Sequence, residues 1–311
     1  MIDNLVFGMI TIRRFDNMEV VYGHTDSIYV KVDSIESAFS SLEKINEEVR
    51  TIFPNLLGLE EHPVILEFEK YFESLGVGIT KNRNAGLISW EDGVWLDEPK
   101  FTLTGFTSKR ISETTTMKEV QTVALNMWVS GKSELEIVDY AKSVYAKVLY
   151  GEINYREVAK RTRLKKERFQ VKCTCNRKYD IREISWTDGE FFCGKCAKHP
   201  SKFLTAKGKK PTISEGIVGV LYSMQERNLT FEDSYVFLRI RPVGFFTDPL
   251  TGVRKEATYV SGNTFSEIEG FEPDWPHYAE QVVKKVQPIF DAMGWDTKQI
   301  KTKQRTFDEW W

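Results

Sequence analysis

The chain has 311 residues, of which 41% are hydrophobic and 28% are charged. It is therefore apolar enough to bury a core, and its composition excludes an intrinsically disordered protein. No apolar run reaches the length of a membrane span, and the N-terminal residues lack the pattern of a secretory signal. We therefore expect an intracellular, cytoplasmic protein with no membrane partner.

Residues 19–32 alternate in hydrophobicity, which predicts two short strands joined by a tight polar turn. Residues 34–50 have the pattern of an amphipathic helix, with Ser34 as its N-cap. Residues 63–80 are predicted to form strand, and residues 81–87 with the following SWEDG are predicted to form a loop and a hairpin turn.

Two helices are predicted over residues 112–130 and 133–149, separated by a Gly-Lys break. Residues 211–270 read as short strands between Gly and Pro turns, and residues 276–294 read as a last helix. The elements together predict an α+β fold.

Charge is concentrated in one part of the sequence. The net charge of the whole chain is only −2, but residues 151–210 contain 17 basic and 7 acidic side chains, a local charge of +10. This segment predicts a surface for a polyanion, most often a nucleic acid. A solvated lysine-rich face is the alternative.

All four cysteines lie in this basic segment, as the pairs Cys173-x-Cys175 and Cys193-x-x-Cys196. Two such pairs predict a closed structural Zn²⁺ site with four thiolate ligands. An iron–sulfur cluster and free or disulfide-bonded cysteines are the alternatives. Between the pairs, Asp188-Gly189 predicts a hairpin turn. The insert, at about residues 168–210, is too small to hold a core, so metal would supply much of its folding energy.

The string Tyr22-Gly23-His24-Thr25-Asp26-Ser27 covers the first predicted turn. A turn aspartate can bind a hard divalent cation, although it more often bonds its own backbone. The string resembles the YGDTDS signature of family B DNA polymerases. That resemblance implies that Asp26 is a ligand of a two-Mg²⁺ catalytic site, that His24 replaces the accessory acid, and that Thr25 contacts DNA.

Further segments resemble the same family in the same order: Leu66–Glu69 (a palm strand), Lys81–Leu87 (the KKRYAGL segment), Lys109-Arg110 (the start of the thumb), Tyr155–Leu164 (a later thumb segment) and His277–Lys303 (the last thumb helices). Glu67 and Glu69 would share one strand face, either as accessory carboxylates or as an exposed acidic face. In the second segment the family's tyrosine is replaced by Asn84. The resemblance implies DNA contacts for basic residues of these and adjoining segments: Lys81, Arg83, Lys109, Arg110, Arg161, Arg163, Lys165 and Lys166.

The resemblance implies two domains. Residues 1–102 would be the C-terminal part of a palm, with its β-hairpin and sheet, and residues 103–311 a mostly helical thumb with the inserted zinc ribbon. The family's exonuclease, fingers and first catalytic aspartate would precede this hairpin. We therefore expect the small subunit of a split DNA polymerase, from an archaeon or an archaeal virus, that uses primer–template DNA and dNTP only with a large subunit. A truncated longer chain is the alternative.

The last residues, 304–311, fit the Qxxhxxaa peptide motif through which replication proteins bind the sliding clamp. Gln304, Phe307, Trp310 and Trp311 are the predicted clamp-binding residues, because this spacing places the three rings on one side of a helical turn. The alternative is that the tryptophans pack on the chain's own thumb.

Two other functions compete with a split enzyme. A catalytically degenerate module that binds DNA and the clamp through its zinc ribbon is favoured by His24 and Asn84. A zinc-ribbon transcription factor would explain only residues 160–210, and we reject it.

Overall fold

The computed structural model of the chain describes residues 19–24, 27–53, 55–60, 62, 64–79, 82–110, 112–186 and 191–301. The chain divides into two compact units. Unit 1 is Met1–Phe106, Leu125–Ile137 and Pro288–Trp295, and unit 2 is Thr107–Ala124, Val138–Gln287 and Asp296–Trp311. Among the described residues, no helix is long and apolar enough to cross a membrane.

Unit 1 begins with the predicted hairpin. Strand β1 (Glu19–His24) pairs antiparallel with β2 (Ser27–Lys31), so that His24 lies opposite Ser27. Helix α1 (Ile35–Ile52) follows and is capped as predicted, because the Ser34 side chain accepts a hydrogen bond from the backbone N–H of Ser37 at 3.2 Å. The buried face of α1 packs on the hairpin and fixes it. The residues in this contact are Ile45 and Val49 against Val20, Ile28, Val30 and Leu66.

A three-stranded antiparallel sheet follows, with the order β3 (Lys70–Val77), β4 (Asn84–Glu91) and β5 (Val94–Thr104). The predicted hairpin turn is confirmed at Asp92 and Gly93, which have φ angles of 50° and 89°. Two predictions need correction: strand occupies 70–77 rather than 63–80, and the predicted loop over 81–87 becomes strand at Asn84.

The residues Asn84-Ala85-Gly86 read as loop because they have low strand propensity. In the folded sheet they lie in its central strand, where Ala85 is fully buried. A methyl group added at Gly86 would lie 2.7 Å from both the Phe72 ring and the Ser74 carbonyl oxygen. Close packing therefore requires the small residues that misled the prediction.

The predicted helices are confirmed as α2 (Thr115–Val129), α3 (Glu134–Leu149) and α6 (Trp275–Met293); short helices α4 (Tyr155–Val158) and α7 (Lys298–Lys301) accompany them. Gly131 ends α2 in a left-handed conformation with φ of 76°.

Unit 2 contains a three-stranded sheet in the order β12 (Tyr259–Gly262), β9 (Ser234–Arg239) and β6 (Lys160–Arg163). The remaining strands pair as β7 (Gln170–Lys172) with β8 (Lys178–Asp180), and β10 (Phe245–Thr247) with β11 (Arg254–Glu256). Helices and small sheets thus alternate along the chain, which confirms the α+β class. The boundary between the predicted palm and thumb stays a prediction.

Helix α5 (Glu215–Arg227) lies where only strands and turns were predicted, so that prediction was wrong. Gly216 and Gly219 belong to the segment that was predicted to form short strands between Gly and Pro turns. Methyl groups at these positions would lie 2.6 Å from the Tyr235 hydroxyl and 2.4 Å from the Ser261 hydroxyl. The glycines therefore let the helix lie close against the sheet, at a small cost in helix propensity.

Candidate metal centre and nucleic-acid interface

The four cysteines of the insert converge on one point. All four sulfur atoms lie within 4.8 Å of one another. The Sγ atoms of Cys173 and Cys196 are 3.3 Å apart, and those of Cys175 and Cys193 are 3.6 Å apart. Tetrahedral Zn²⁺ with Zn–S bonds of about 2.3 Å needs sulfurs about 3.8 Å apart, so the donor set fits this ion.

Each cysteine pair forms a tight turn around the cluster. The Cys173 carbonyl accepts the Asn176 N–H at 2.8 Å, and the Cys193 carbonyl accepts the Ala197 N–H at 2.8 Å. Asn176 and Ala197 each follow the second cysteine of their pair, and both are left-handed, with φ of 70° and 54°. The two turns thus point their thiols inward despite the unequal spacing of the pairs.

Tyr179 supports the cluster from the side. Its hydroxyl donates to Sγ of Cys193 at 3.1 Å, and its ring stacks on Phe203 with centroids 5.1 Å apart. Burial raises the pKa of the Cys193 thiol, but the hydrogen bonds from Tyr179 and from backbone N–H groups outweigh burial and lower this pKa to about 6. A lowered pKa favours the thiolate, the form that binds metal.

The insert differs in one respect from its predicted layout. Its described hairpin, β7–β8, surrounds the first cysteine pair. The predicted turn at Asp188-Gly189 lies outside the described residues.

The β1–β2 hairpin is tied to the segment that begins strand β4. The Tyr22 hydroxyl donates to Oδ1 of Asn82 at 3.3 Å, while the Tyr29 ring lies 5.3 Å from Tyr22 and 5.9 Å from Phe72. Two of the segments singled out in the sequence are thereby brought together. Thr25, Asp26 and Lys81 lie outside the described residues, as does the side chain of His24.

Glu67 and Glu69 precede strand β3 instead of lying in a strand, and both are exposed. The Asn46 side chain bonds the N–H and carbonyl of Leu66 at 2.8 and 2.9 Å, so backbone groups there are satisfied without a neighbouring strand. Phe68 packs against both Phe39 and Trp90, with both centroid distances 4.9 Å. Exposed acids thus alternate with a packed ring, and the metal role of Glu67 and Glu69 stays a prediction.

Most of the predicted DNA-contacting residues are available to solvent. Arg83 is half-buried in unit 1, whereas the basic residues of unit 2 are exposed: Lys109, Arg110, Arg161, Arg163, Lys165 and Lys166. The Arg161 guanidinium lies 5.6 Å above the Phe265 ring, which limits its freedom.

A buried ion pair that was not predicted underlies the turn carrying Lys109 and Arg110. Lys285 Nζ lies 2.5 Å from the Glu113 carboxylate and donates to the Thr107 hydroxyl at 2.8 Å. Burial raises the pKa of Glu113, but Lys285 and the nearby Lys160 outweigh burial and hold this pKa below its usual range.

The amide of Gln121 completes this support. Its Oε1 atom accepts hydrogen bonds from the Thr107 hydroxyl at 3.0 Å and from the Ser108 N–H at 2.9 Å. The network joins residues up to 178 positions apart, so no local sequence signal could have revealed it. It fixes the turn that presents Lys109 and Arg110.

Residues 9–158 match the family model for DNA polymerase family B. The matched segment is thus similar to family B DNA polymerases. It contains the hairpin, helix α1, the β3–β5 sheet and helices α2–α4, so the resemblance drawn from the Tyr22–Ser27 string is confirmed.

Among solved structures, the family B DNA polymerase of the hyperthermophilic archaeon Pyrobaculum calidifontis is similar to this chain. The identity is 16% and the TM-score 0.49, and the match covers 92% of this chain and 28% of that one. The chain thus spans just over a quarter of the length of that polymerase. No curated protein matches the chain.

The predicted clamp-binding residues of this polymerase-related chain, Gln304, Phe307, Trp310 and Trp311, lie outside the described residues.

Proposed function

We propose that the chain is the small subunit of a split family B DNA polymerase. It supplies the metal-binding palm hairpin and a thumb that grips the primer–template duplex. A large subunit supplies the other catalytic aspartate, the fingers and the exonuclease. The observation that carries this proposal is the family match over residues 9–158, which includes the Tyr22–Ser27 string on a hairpin packed against helix α1.

Asp26 holds Mg²⁺ in this proposal, with Glu67 and Glu69 as accessory carboxylates. Mg²⁺ held by these carboxylates and by the large subunit's aspartate would supply the charge stabilisation that nucleotidyl transfer needs. The chain's own part is to contribute the Asp26 carboxylate and to bind the duplex. Its basic residues contact phosphates, so we expect binding that does not depend on base sequence and weakens with salt.

An exposed apolar segment of unit 1 supports the proposal that a partner protein binds this chain. Leu56 and Leu57 are 88% and 78% exposed, and Phe53, Leu59 and Ile65 are each about half exposed. Apolar side chains clustered in this way in a soluble protein commonly mark a protein interface. We propose that the large subunit covers this segment.

Zn²⁺ in the four-cysteine cluster has a structural role in this proposal, because four thiolates leave no open coordination position. The C-terminal residues 304–311 bind the sliding clamp. A cytoplasmic location in a prokaryotic cell accompanies such a replication function.

The partner is tested by mixing the purified chain with a family B polypeptide from the same genome that contains the fingers and first aspartate. We expect a stable one-to-one complex in size-exclusion chromatography. The double variant Leu56→Asp, Leu57→Asp should weaken it at least tenfold, whereas Leu135→Asp, at a position also 67% exposed, should leave it intact. No complex with the unaltered chain would contradict the split arrangement.

A degenerate module that binds DNA and the clamp is the second candidate. His24, in place of the first acidic residue of the signature, favours it. In that case the chain binds duplex but adds no activity to any partner.

A further inference from the structure

The metal-bearing insert exposes an aromatic ring beside the cluster. Phe192 is 46% exposed although it directly precedes the buried Cys193. Its ring meets His199 edge to face at 6.1 Å, and His199 lies 5.3 Å from Trp186. Two neighbouring rings of which one is exposed offer flat surfaces on which a planar ligand can stack.

The rings are held in place from below. Trp186 Nε1 donates to the Pro249 carbonyl at 3.2 Å. A methyl group at Gly252 would lie 2.8 Å from the Trp186 ring, so the backbone packs directly against that ring. Cys193, which follows Phe192, is buried and belongs to the thiol cluster, so the backbone beside the Phe192 ring is held in place. The surface is therefore preorganised, which lowers the entropy cost of binding.

The residues that follow Phe192 in the sequence carry charge of a single sign. The stretch 191–210 contains six lysines and no acidic residue. All six lysines are exposed, and none forms a salt bridge within the described part of the chain: Lys195, Lys198, Lys202, Lys207, Lys209 and Lys210. Lysines in this arrangement fit a ligand with repeated negative charges.

We propose that this surface binds single-stranded nucleic acid. Bases stack on Phe192 and His199, and the lysines contact the phosphates. The phosphates of a duplex can contact the lysines, but its bases cannot stack on the rings, because they already stack on one another and present only their edges. Phe192 has no hydrogen-bonding group, so we expect little preference among bases. This function is separate from the duplex grip of the proposed thumb and does not depend on polymerase activity.

The test uses the full zinc-loaded chain and fluorescence anisotropy, with oligothymidylate of about 12 nucleotides and a blunt duplex as probes. Loss of one stacked base costs about 1–3 kcal/mol, so Phe192→Ala should weaken single-strand binding by roughly 5- to 150-fold. Duplex affinity should change less than about twofold. Phe192→Tyr keeps a stacking ring and should retain single-strand affinity.

Trp95→Ala is the matched control, since Trp95 is an aromatic residue that is 57% exposed in unit 1 and lies outside the insert. It should leave both affinities unchanged. Zinc content is measured for every variant, and Phe192→Leu, which keeps the apolar bulk, replaces the alanine variant if that variant loses zinc. Equal weakening of both probes, or no weakening of either, would overturn the proposal.

Discussion

The buried Glu113–Lys285 pair gives a sharp test of how the turn carrying Lys109 and Arg110 is held. The two side chains are only 9% and 11% exposed, with a 2.5 Å contact. Glu113→Gln removes the negative charge and leaves the Lys285 ammonium buried, with the Thr107 hydroxyl still accepting a hydrogen bond from it. Because stranding a buried charge is strongly destabilising, we expect a loss of roughly 2–4 kcal/mol in the free energy of unfolding.

A second Glu–Lys pair of the same unit serves as the control. Lys301 and Glu280 lie 2.7 Å apart but are 42% and 43% exposed. Glu280→Gln should therefore cost at most about 1 kcal/mol. Urea unfolding followed by circular dichroism measures the free energy of unfolding of both variants. The dependence of this free energy on urea concentration should be the same for both variants and the unaltered chain. Equal losses for the two variants would refute the assignment of the Glu113 network as the support of this turn.

The effect of Glu113 should depend on pH. Its pKa is lowered in the folded chain, because Lys285 and Lys160 outweigh burial. Its stabilising contribution is therefore present above the ordinary carboxyl pKa and is lost as pH falls through the folded value. The difference between the unaltered chain and Glu113→Gln should be largest near neutral pH and should shrink below about pH 4.

Two further predictions concern the metal centre and the sheet of unit 1. The chain purified with zinc should contain one Zn²⁺ by elemental analysis. The variant Cys196→Ser should lose this ion, and the fluorescence of Trp186 should change. Full zinc content in the variant would contradict the four-thiolate site. Gly105 and Gly131 both have a positive φ, of 75° and 76°. A methyl group at Gly105 would lie 1.6 Å from the Asn82 carbonyl oxygen, whereas a methyl group at Gly131 would lie in open space. In urea unfolding, Gly131→Ala should therefore lower the free energy of unfolding by about 1 kcal/mol and Gly105→Ala by more than about 3 kcal/mol. Similar losses for the two variants would rule out the predicted clash.

Helices with a sustained apolar period were predictable from the sequence, because their own pattern determines which face is buried. Residues 34–50 and 276–294 are examples, and the Ser34 cap was read correctly. Helix α5 was missed because its glycines fit contacts with Tyr235 and Ser261, which belong to distant parts of the chain. Tertiary packing there overrides local propensity.

The candidate sites also differ in whether the local sequence could predict them. The cysteine spacing predicted a cluster that the structure brings together, since a short insert leaves two such pairs few other arrangements. The Glu113 network was invisible in the sequence, because its members come from elements far apart along the chain. The exposed ring of Phe192 also escaped notice, since a phenylalanine beside a cysteine reads as core.

The central claim is that the hairpin contributes a catalytic carboxylate to a polymerase completed by a second polypeptide. Primer extension with Mg²⁺ tests it most directly, using this chain alone, the large subunit alone and the two mixed. The account predicts extension only in the mixture, lost with Asp26→Ala and kept with Asp139→Ala, a control that removes a carboxylate outside the signature. Extension in the mixture that survives Asp26→Ala, or no extension in the mixture at all, would contradict it.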